Sequence, residues 1–391
     1  MDASVRVMLD LGMVLFASFI GSAIFERMKL PPVIGMILAG VAISPFTPGF
    51  VVESRNEITL FAQLGGILLM FVLGLHFEHN QVRRLGIKAF ILAGMASAAS
   101  FAAGAAAGLL FGMGVAEFLI IGTFFVSTST TMALRMMQEM NLNRLKNSRL
   151  MEAAIVIDDL YGFVVLSLIS GYIGVQGTGV GESVVMSFSM LAVILVIFFA
   201  GVRLVPKIFE FFEERYPSSA LTLGTAFCLI MVYALMWFNV SPFIGAFLAG
   251  TVLTSSIRHK DVIHSIMPVR NLFANVFFVS IGLLLNPSLL LAALPLIVAL
   301  SLVAVASKWA VASATLVNFG SDFREAMKLG LMTSPRGEVL LIIAESVVIT
   351  GVVQPDFLAI ATGIVFLSAF APPLIMPFLE KRSRAVVRRR I

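Results

Sequence analysis

The chain is poor in charge, histidine, tryptophan and cysteine. Only 13% of its 391 residues are Asp, Glu, Lys or Arg, against 59% hydrophobic. That balance excludes a water-soluble globular domain and leaves no length for a large aqueous domain beside the apolar segments. The single cysteine, Cys228 in "LGTAFCLIMV", excludes an intrachain disulfide and reads as a small core hydrophobe. The four histidines, His76, His79, His259 and His264, sit at loop edges and make no metal-type cluster, and no P-loop or GxGxxG is present. Nothing therefore points to a covalent enzyme, a cofactor or a metal beyond a transported ion.

What the sequence has is long apolar runs, about thirteen of spanning or near-spanning length. They lie near 5–25, 31–46, 57–77, 89–113, 116–139, 150–174, 184–206, 218–238, 241–256, 268–286, 289–317, 326–350 and 355–379. The second and ninth are short and begin at prolines. The start has no basic leader or small-residue cleavage site and reads as a first spanning helix. Of the 27 Lys and Arg, all but Arg6, Arg55, Lys308 and Arg336 fall on one side of the membrane in an alternating threading. The positive-inside bias then puts the N-terminus outside and the C-terminus in the cytoplasm of a cell (inner) membrane protein. The net charge of +5 is this topology signal and no nucleic-acid footprint.

The chain also repeats itself. "PVIGMILAGVAIS" from Pro32 recurs as "PFIGAFLAGTVLT" from Pro242, and "FVLGL" at Phe71 as "FVSIGL" at Phe278. The helix-breaking clusters "STSTT" (Ser127 to Thr131) and "TSPRGE" (Thr333 to Glu338) lie at a similar offset. The offset spans an odd number of helices, so the second copy enters the membrane upside down. The expected fold class is an all-α polytopic membrane protein with an inverted repeat and an interrupted helix in each half, the architecture of secondary transporters.

Five groups of residues carry chemistry in this frame. "IVIDDLYGFV" places Asp158 and Asp159 some eight residues inside a span, about 12 Å deep at the helical rise. A carboxylate there must be paired, hydrated or protonated, and adjacent helical positions point about 100° apart, so the two take different roles. Lys308, the only Lys within a span, matches their depth and is the natural counter-ion; the alternative is a lysine that snorkels to the interface. In "VSTSTTMAL", Thr128 and Ser129 either offer oxygens to a cation or only hydrogen-bond neighbouring helices. Arg336 and Glu338 in "MTSPRGEVL" read as a structural ion pair. Glu345, two turns further, is open between a pathway residue and a paired one.

At "AIVIDDLYGFVVL", "SPFIGAFLAG", "TSPRGEVLLI" and Lys308 the chain resembles the second branch of the cation/proton antiporter superfamily, along essentially its whole length. That branch holds bacterial sodium/proton antiporters with an aspartate pair and potassium efflux antiporters. The resemblance implies a homodimer of thirteen helices. Residues 1–80 (helices 1–3) and 218–286 (helices 8–10) would form a scaffold, 84–176 and 289–380 (helices 4–6 and 11–13) a mobile core with two crossing unwound helices, 183–215 a linker helix, and 381–391 a basic cytoplasmic tail. It also implies that Asp159 is the principal ion and proton carboxylate, Asp158 its partner, Lys308 the counter-ion of Asp158, and Thr128 and Ser129 the crossing point. "SPFTPGFV" at Ser44 and "LLMFVLGLHF" at Leu68 look like the potassium-efflux side, whose members usually continue into a cytoplasmic nucleotide-binding domain. The aspartate pair favours the sodium side. The expected activity is electrogenic exchange of a monovalent cation (sodium, lithium or potassium) for protons by alternating access, with potassium/proton exchange as the alternative and membrane lipid as the surrounding partner.

Overall fold

The computed structural model describes residues 3–28, 32–47, 52–76, 79–173, 192, 196–205, 209, 220–238, 241–254, 259–349 and 351–387. Among the described residues all regular structure is helical, as hydrocarbon demands of a chain that must satisfy its own N–H and C=O groups. The first half holds α1 (Ala3–Arg27), α2 (Pro32–Ala42), α3 (Arg55–Leu75), α4 (His79–Leu110), α5 (Val115–Val126), α6 (Thr130–Glu139) and α7 (Ser148–Ile173). After α8 (Val196–Val205) come α9 (Ala220–Met236), α10 (Pro242–Leu253), α11 (His259–Leu284), α12 (Pro287–Ala292), α13 (Leu294–Asn318), α14 (Phe323–Leu331), α15 (Glu338–Ile349) and α16 (Asp356–Val387).

These helices follow the apolar segments, with differences that have physical causes. The segments at 116–139 and 326–350 are each two half-length helices, α5 with α6 and α14 with α15, because the hydroxyl run and the Pro335–Gly337 stretch interrupt the backbone ladder. α2 and α10 are short and start on Pro32 and Pro242, whose missing N–H is harmless in a first turn. α4 breaks at Gly86, where φ is 72°, and its apolar stretch runs from there to Leu110. α16 continues to Val387, so Lys381, Arg382 and Arg384 extend a helix. Most of the seventh segment at 184–206, and of the linker at 183–215, lies outside the described residues, as do residues 388–391.

The chain forms two compact units, Met1–Asn80 with Ser167–Pro287 and Gln81–Leu166 with Ser288–Ile391. In the first unit α3 packs on α10 and α11, and α2 packs on α1 and α11. The two motif repeats meet there. Gly40 of α2 lies against Gly282 of α11, and Gly74 of α3 lies against Gly250 of α10; a methyl group on any of the four would overlap the facing helix backbone. Gly40 and Gly250 are equivalent positions of the repeated "IGxxLAG", as are Gly74 and Gly282 of the repeated "GL". The two contacts are thus one contact used twice, the small-residue approach by which helices associate in lipid.

In the second unit α13 packs on α14 and α16, and α15 on α16 and α5. α13 buries a stripe at Ile297, Ser301, Ala304, Lys308, Ala312 and Thr315, spaced three or four apart. α4 buries Ala89, Ala93, Ala96, Ser97 and Ser100 in the same manner. Both stripes are mostly small residues, and each carries its polar members inward among the broken helices.

Candidate functional site

The unwound segments build the site. α5 ends at Val126, Ser127 is extended (φ −75°, ψ 143°), Ser129 likewise (φ −68°, ψ 101°), and α6 starts at Thr130. The second break covers 332–337, between α14 and α15. The breaks cross: the Ser129 N–H donates to the Pro335 carbonyl at 2.8 Å, and the Thr128 hydroxyl donates to the Thr333 carbonyl at 3.1 Å. Gly337 is required at the crossing because a Cβ there would stand 2.5 Å from the Ser129 side chain. Helices α5 and α14 bring their C-terminal carbonyl ends to this point, and α6 and α15 their N-terminal amide ends. Partial negative and partial positive charges therefore meet in one buried place.

Lys308 and Arg336 reach carbonyls at the breaks and Asp159 lies by an amide end, so each of these charges faces a partial charge of opposite sign. The Lys308 ammonium donates to the Val126 carbonyl, the last of α5, and to Asp158 Oδ2. Arg336 donates from one terminal nitrogen to the carbonyls of Ser127 (3.0 Å) and Thr333 (3.3 Å), and from the other to the Ala304 carbonyl (2.9 Å) and the Ser100 hydroxyl (3.3 Å). The Arg336 backbone N–H donates to the Ser368 hydroxyl at 2.9 Å. Asp159 lies by the start of α6: its Oδ2 accepts from the Thr130 hydroxyl at 2.9 Å and its Oδ1 from the Ser127 hydroxyl at 3.0 Å.

The adjacent aspartates thus face different partners, the divergence that consecutive helical positions impose. Asp158 takes the Lys308 ammonium and, on Oδ1, the Ser97 hydroxyl from α4; Asp159 takes the two hydroxyls. Asp158 is 2% exposed, Asp159 4% and Lys308 1%, so Lys308 does not snorkel. Thr128 turns its hydroxyl to Thr333, on the side of the extended segment opposite Ser127. Ser129 is also buried and contributes its N–H to the crossing. The terminal nitrogens of Arg336 go to carbonyls and a hydroxyl; the side chain of Glu338, its expected partner, lies outside the described residues. Ser97, Ser100, Ser127 and Thr130 join the site without having been singled out in the sequence. The signal for Ser97 and Ser100 is their place, one turn apart, on the small-residue face of "AGMASAASFAAG".

Chemically this is a buried cluster of two carboxylates, one ammonium and one guanidinium, with hydroxyls and free-ended helices around them. Asp159 with Ser127 and Thr130 offers only oxygen atoms, the donor set that suits an alkali cation. Asp158 is paired with Lys308, so a cation or a proton arriving at Asp159 would meet a carboxylate set among hydroxyl oxygens.

Comparisons with known proteins bear on the family and the fold. The profile of the family described as "Sodium/hydrogen exchanger, transmembrane" matches residues 14–381. A protein of Escherichia coli (strain K12) described as "Putative cation/proton antiporter YbaL" is 30% identical over 384 residues, covering 94% of this chain and 67% of that protein. The "High-affinity Na(+)/H(+) antiporter NhaS3" of Synechocystis sp. is 24% identical over 416 residues, covering 96% of this chain and 90% of that protein. Among solved structures, the sodium proton antiporter MjNhaP1 from Methanocaldococcus jannaschii superposes with a TM-score of 0.74 at 16% identity, covering 96% of this chain and 98% of that one. That last likeness concerns the fold.

Proposed function

Because the chain belongs to the transmembrane sodium/hydrogen exchanger family, and is therefore an integral membrane cation/proton antiporter, we propose that it exchanges sodium for protons electrogenically through Asp158 and Asp159. One observation carries this reading: two adjacent buried carboxylates with separate partners, one on an ammonium and one on hydroxyls, at the crossing of two interrupted helices.

In the proton-loaded state Asp159 holds a proton and Asp158 is paired with Lys308. A cation that reaches Asp159 through an open cavity displaces its proton and draws in the hydroxyl oxygens of Ser127 and Thr130. Asp158 then turns from Lys308 toward the cation, and Lys308, left without its counter-ion in a low dielectric, gives up a proton. Two protons leave for one cation bound, so each cycle moves net charge. Exchange is obligatory because unit Gln81–Leu166 with Ser288–Ile391 crosses freely only when its carboxylates are neutralised by one species or the other; the bare charged form is held back by its electrostatic cost in hydrocarbon. On this reading the other unit is the scaffold of a homodimer, and the Lys and Arg bias sets the N-terminus outside and the C-terminus in the cytoplasm. The exposed apolar residues of α1, Met8, Phe16 and Phe19 among them, support a place for that helix against lipid or a second copy.

The test is proton flux in proteoliposomes driven by sodium, lithium and potassium in turn. Sodium- or lithium-driven flux supports the reading. Flux with potassium alone supports potassium/proton exchange, and currents beyond carrier turnover would mean a channel.

A further inference from the structure

Glu345 has no part in the scheme above, yet it is only 2% exposed within α15. Its Oε2 accepts no hydrogen bond from any described group, and no ion pair reaches it. It lies eight residues beyond Gly337, about 12 Å from the crossing along the helix. An ionised Glu345 would be a negative charge buried without a partner among the described residues.

The charged groups on the elements around it do not supply a counter-ion. On α5 the charged group is Glu117, at the far first turn, where it accepts from the Gly114 N–H at 2.9 Å. On α16 it is Asp356, exposed in the first turn; Glu380, Lys381, Arg382 and Arg384 lie at the opposite end of that helix. On α15 itself the other charged residue is Glu338, a full two turns nearer the crossing. The sequence has no Lys or Arg at 111–134 or 337–380, while Glu117, Glu338, Glu345, Asp356 and Glu380 fall in these stretches. The charged residues of α5, α15 and the start of α16 on the side away from the crossing are Glu117, Glu345 and Asp356, and on the orientation proposed above that side faces outside.

From this geometry we propose that Glu345 is a second proton-binding site, filled from the outer side, whose proton must be in place for the unit to carry ions. A lone carboxylate without further oxygen ligands cannot replace the hydration shell of a metal cation, so the ligand is a proton. The proton is not among those exchanged in each cycle. It spares the unit a buried carboxylate charge without a partner, and its loss to an alkaline exterior arrests transport. The proposal rests on the antiporter reading for its consequence and on burial alone for its occupancy, and the two are measured separately.

Occupancy is read by infrared spectroscopy of the full-length protein in lipid, without transport. Wild type at neutral pH should show the carbonyl-stretch band of a neutral carboxylic acid that shifts on labelling with isotopic glutamate and is missing in Glu345→Gln. A wild type without that band, or a band that Glu345→Gln retains, overturns the proposal. The consequence is read as sodium/proton exchange against external pH. Glu345→Gln, a permanent mimic of the protonated form, should keep exchange within about twofold of wild type near neutrality and move the alkaline limb upward by about one pH unit or more. Superimposable pH profiles also overturn the proposal. Should Glu345→Gln fail to insert, Glu345→Met, equally uncharged and similar in volume, takes its place in both measurements. Absence of exchange in wild type with the glutamate band present would refute the antiporter reading and leave the proton site standing.

Discussion

Lys308→Gln separates a transport role of the Asp158 pair from a purely structural one. Lys308 and Asp158 are almost wholly buried, and the ammonium also satisfies the Val126 carbonyl at the end of α5. Removing the ammonium leaves Asp158 with the Ser97 hydroxyl alone, and stripping one partner from a buried ion pair costs about 3–5 kcal/mol. Asp158→Asn combined with Lys308→Gln leaves no surplus charge and should recover most of that loss in a thermal-unfolding measurement. In transport the consequence is larger. With Lys308 as one of the two proton carriers, a membrane potential contributes about 2.3 kcal/mol per charge per 100 mV, which is about 50-fold in the sodium gradient sustained. Lys308→Gln has one proton to exchange for one cation and should become electroneutral, losing that whole response. The assay is sodium-driven proton flux in proteoliposomes with the potential clamped, alongside currents on a solid-supported membrane. A wild type indifferent to potential, or a Lys308→Gln protein with the full wild-type response, refutes the reasoning.

Asp159→Asn should abolish coupled exchange while leaving a folded protein, since an amide can accept from one of the Ser127 and Thr130 hydroxyls and donate to the other but neither titrates nor balances a cation; retained sodium-driven proton flux contradicts this. Truncation before Lys381 should leave exchange intact and weaken only binding to anionic lipid, by about 1 kcal/mol for each basic residue removed; a truncated protein that inserts normally yet transports nothing contradicts it. Gly282→Leu should unfold the unit that holds it, because its side chain would occupy the space of the α2 backbone at Gly40, and a cost of about 3 kcal/mol or more is expected from overpacking at so close an approach. A Gly282→Leu protein with unchanged unfolding temperature would show that α2 and α11 do not meet there.

The architecture was readable in the sequence because hydrocarbon permits so little. Apolar length sets the spans, and the Pro32/Pro242 motif repeat sets the inversion. "STSTT" and "TSPRGE" set the two interruptions. The distribution of side chains within the site was not readable to the same depth. Five consecutive hydroxyls are chemically alike on the page, and only the extended backbone at 127–129 sends Ser127 toward Asp159 and Thr128 toward Thr333. Arg336 also reaches the carbonyls of Ser127, Thr333 and Ala304 through its terminal nitrogens, and main-chain acceptors have no letter in a sequence. Ser97 carries no charge to single it out, and its meaning depends on α4 packing where Asp158 needs a second donor. The charges that had to be matched, Asp158 and Lys308, were conspicuous for the opposite reason: so few ionisable residues lie within the spans that each had a short choice of partners.

The crossing of the two unwound segments is fastened largely by main-chain atoms, with the Ser129 N–H on the Pro335 carbonyl and Gly337 leaving room for it. The side chains that address Asp159, those of Ser127 and Thr130, are not the ones that hold the crossing closed. On the proposed mechanism, evolution or a protein engineer is therefore able to retune ion preference by exchanging two hydroxyls for larger, smaller or amide groups while the junction stays tied. A lineage that changes its cation need not first invent a new fold.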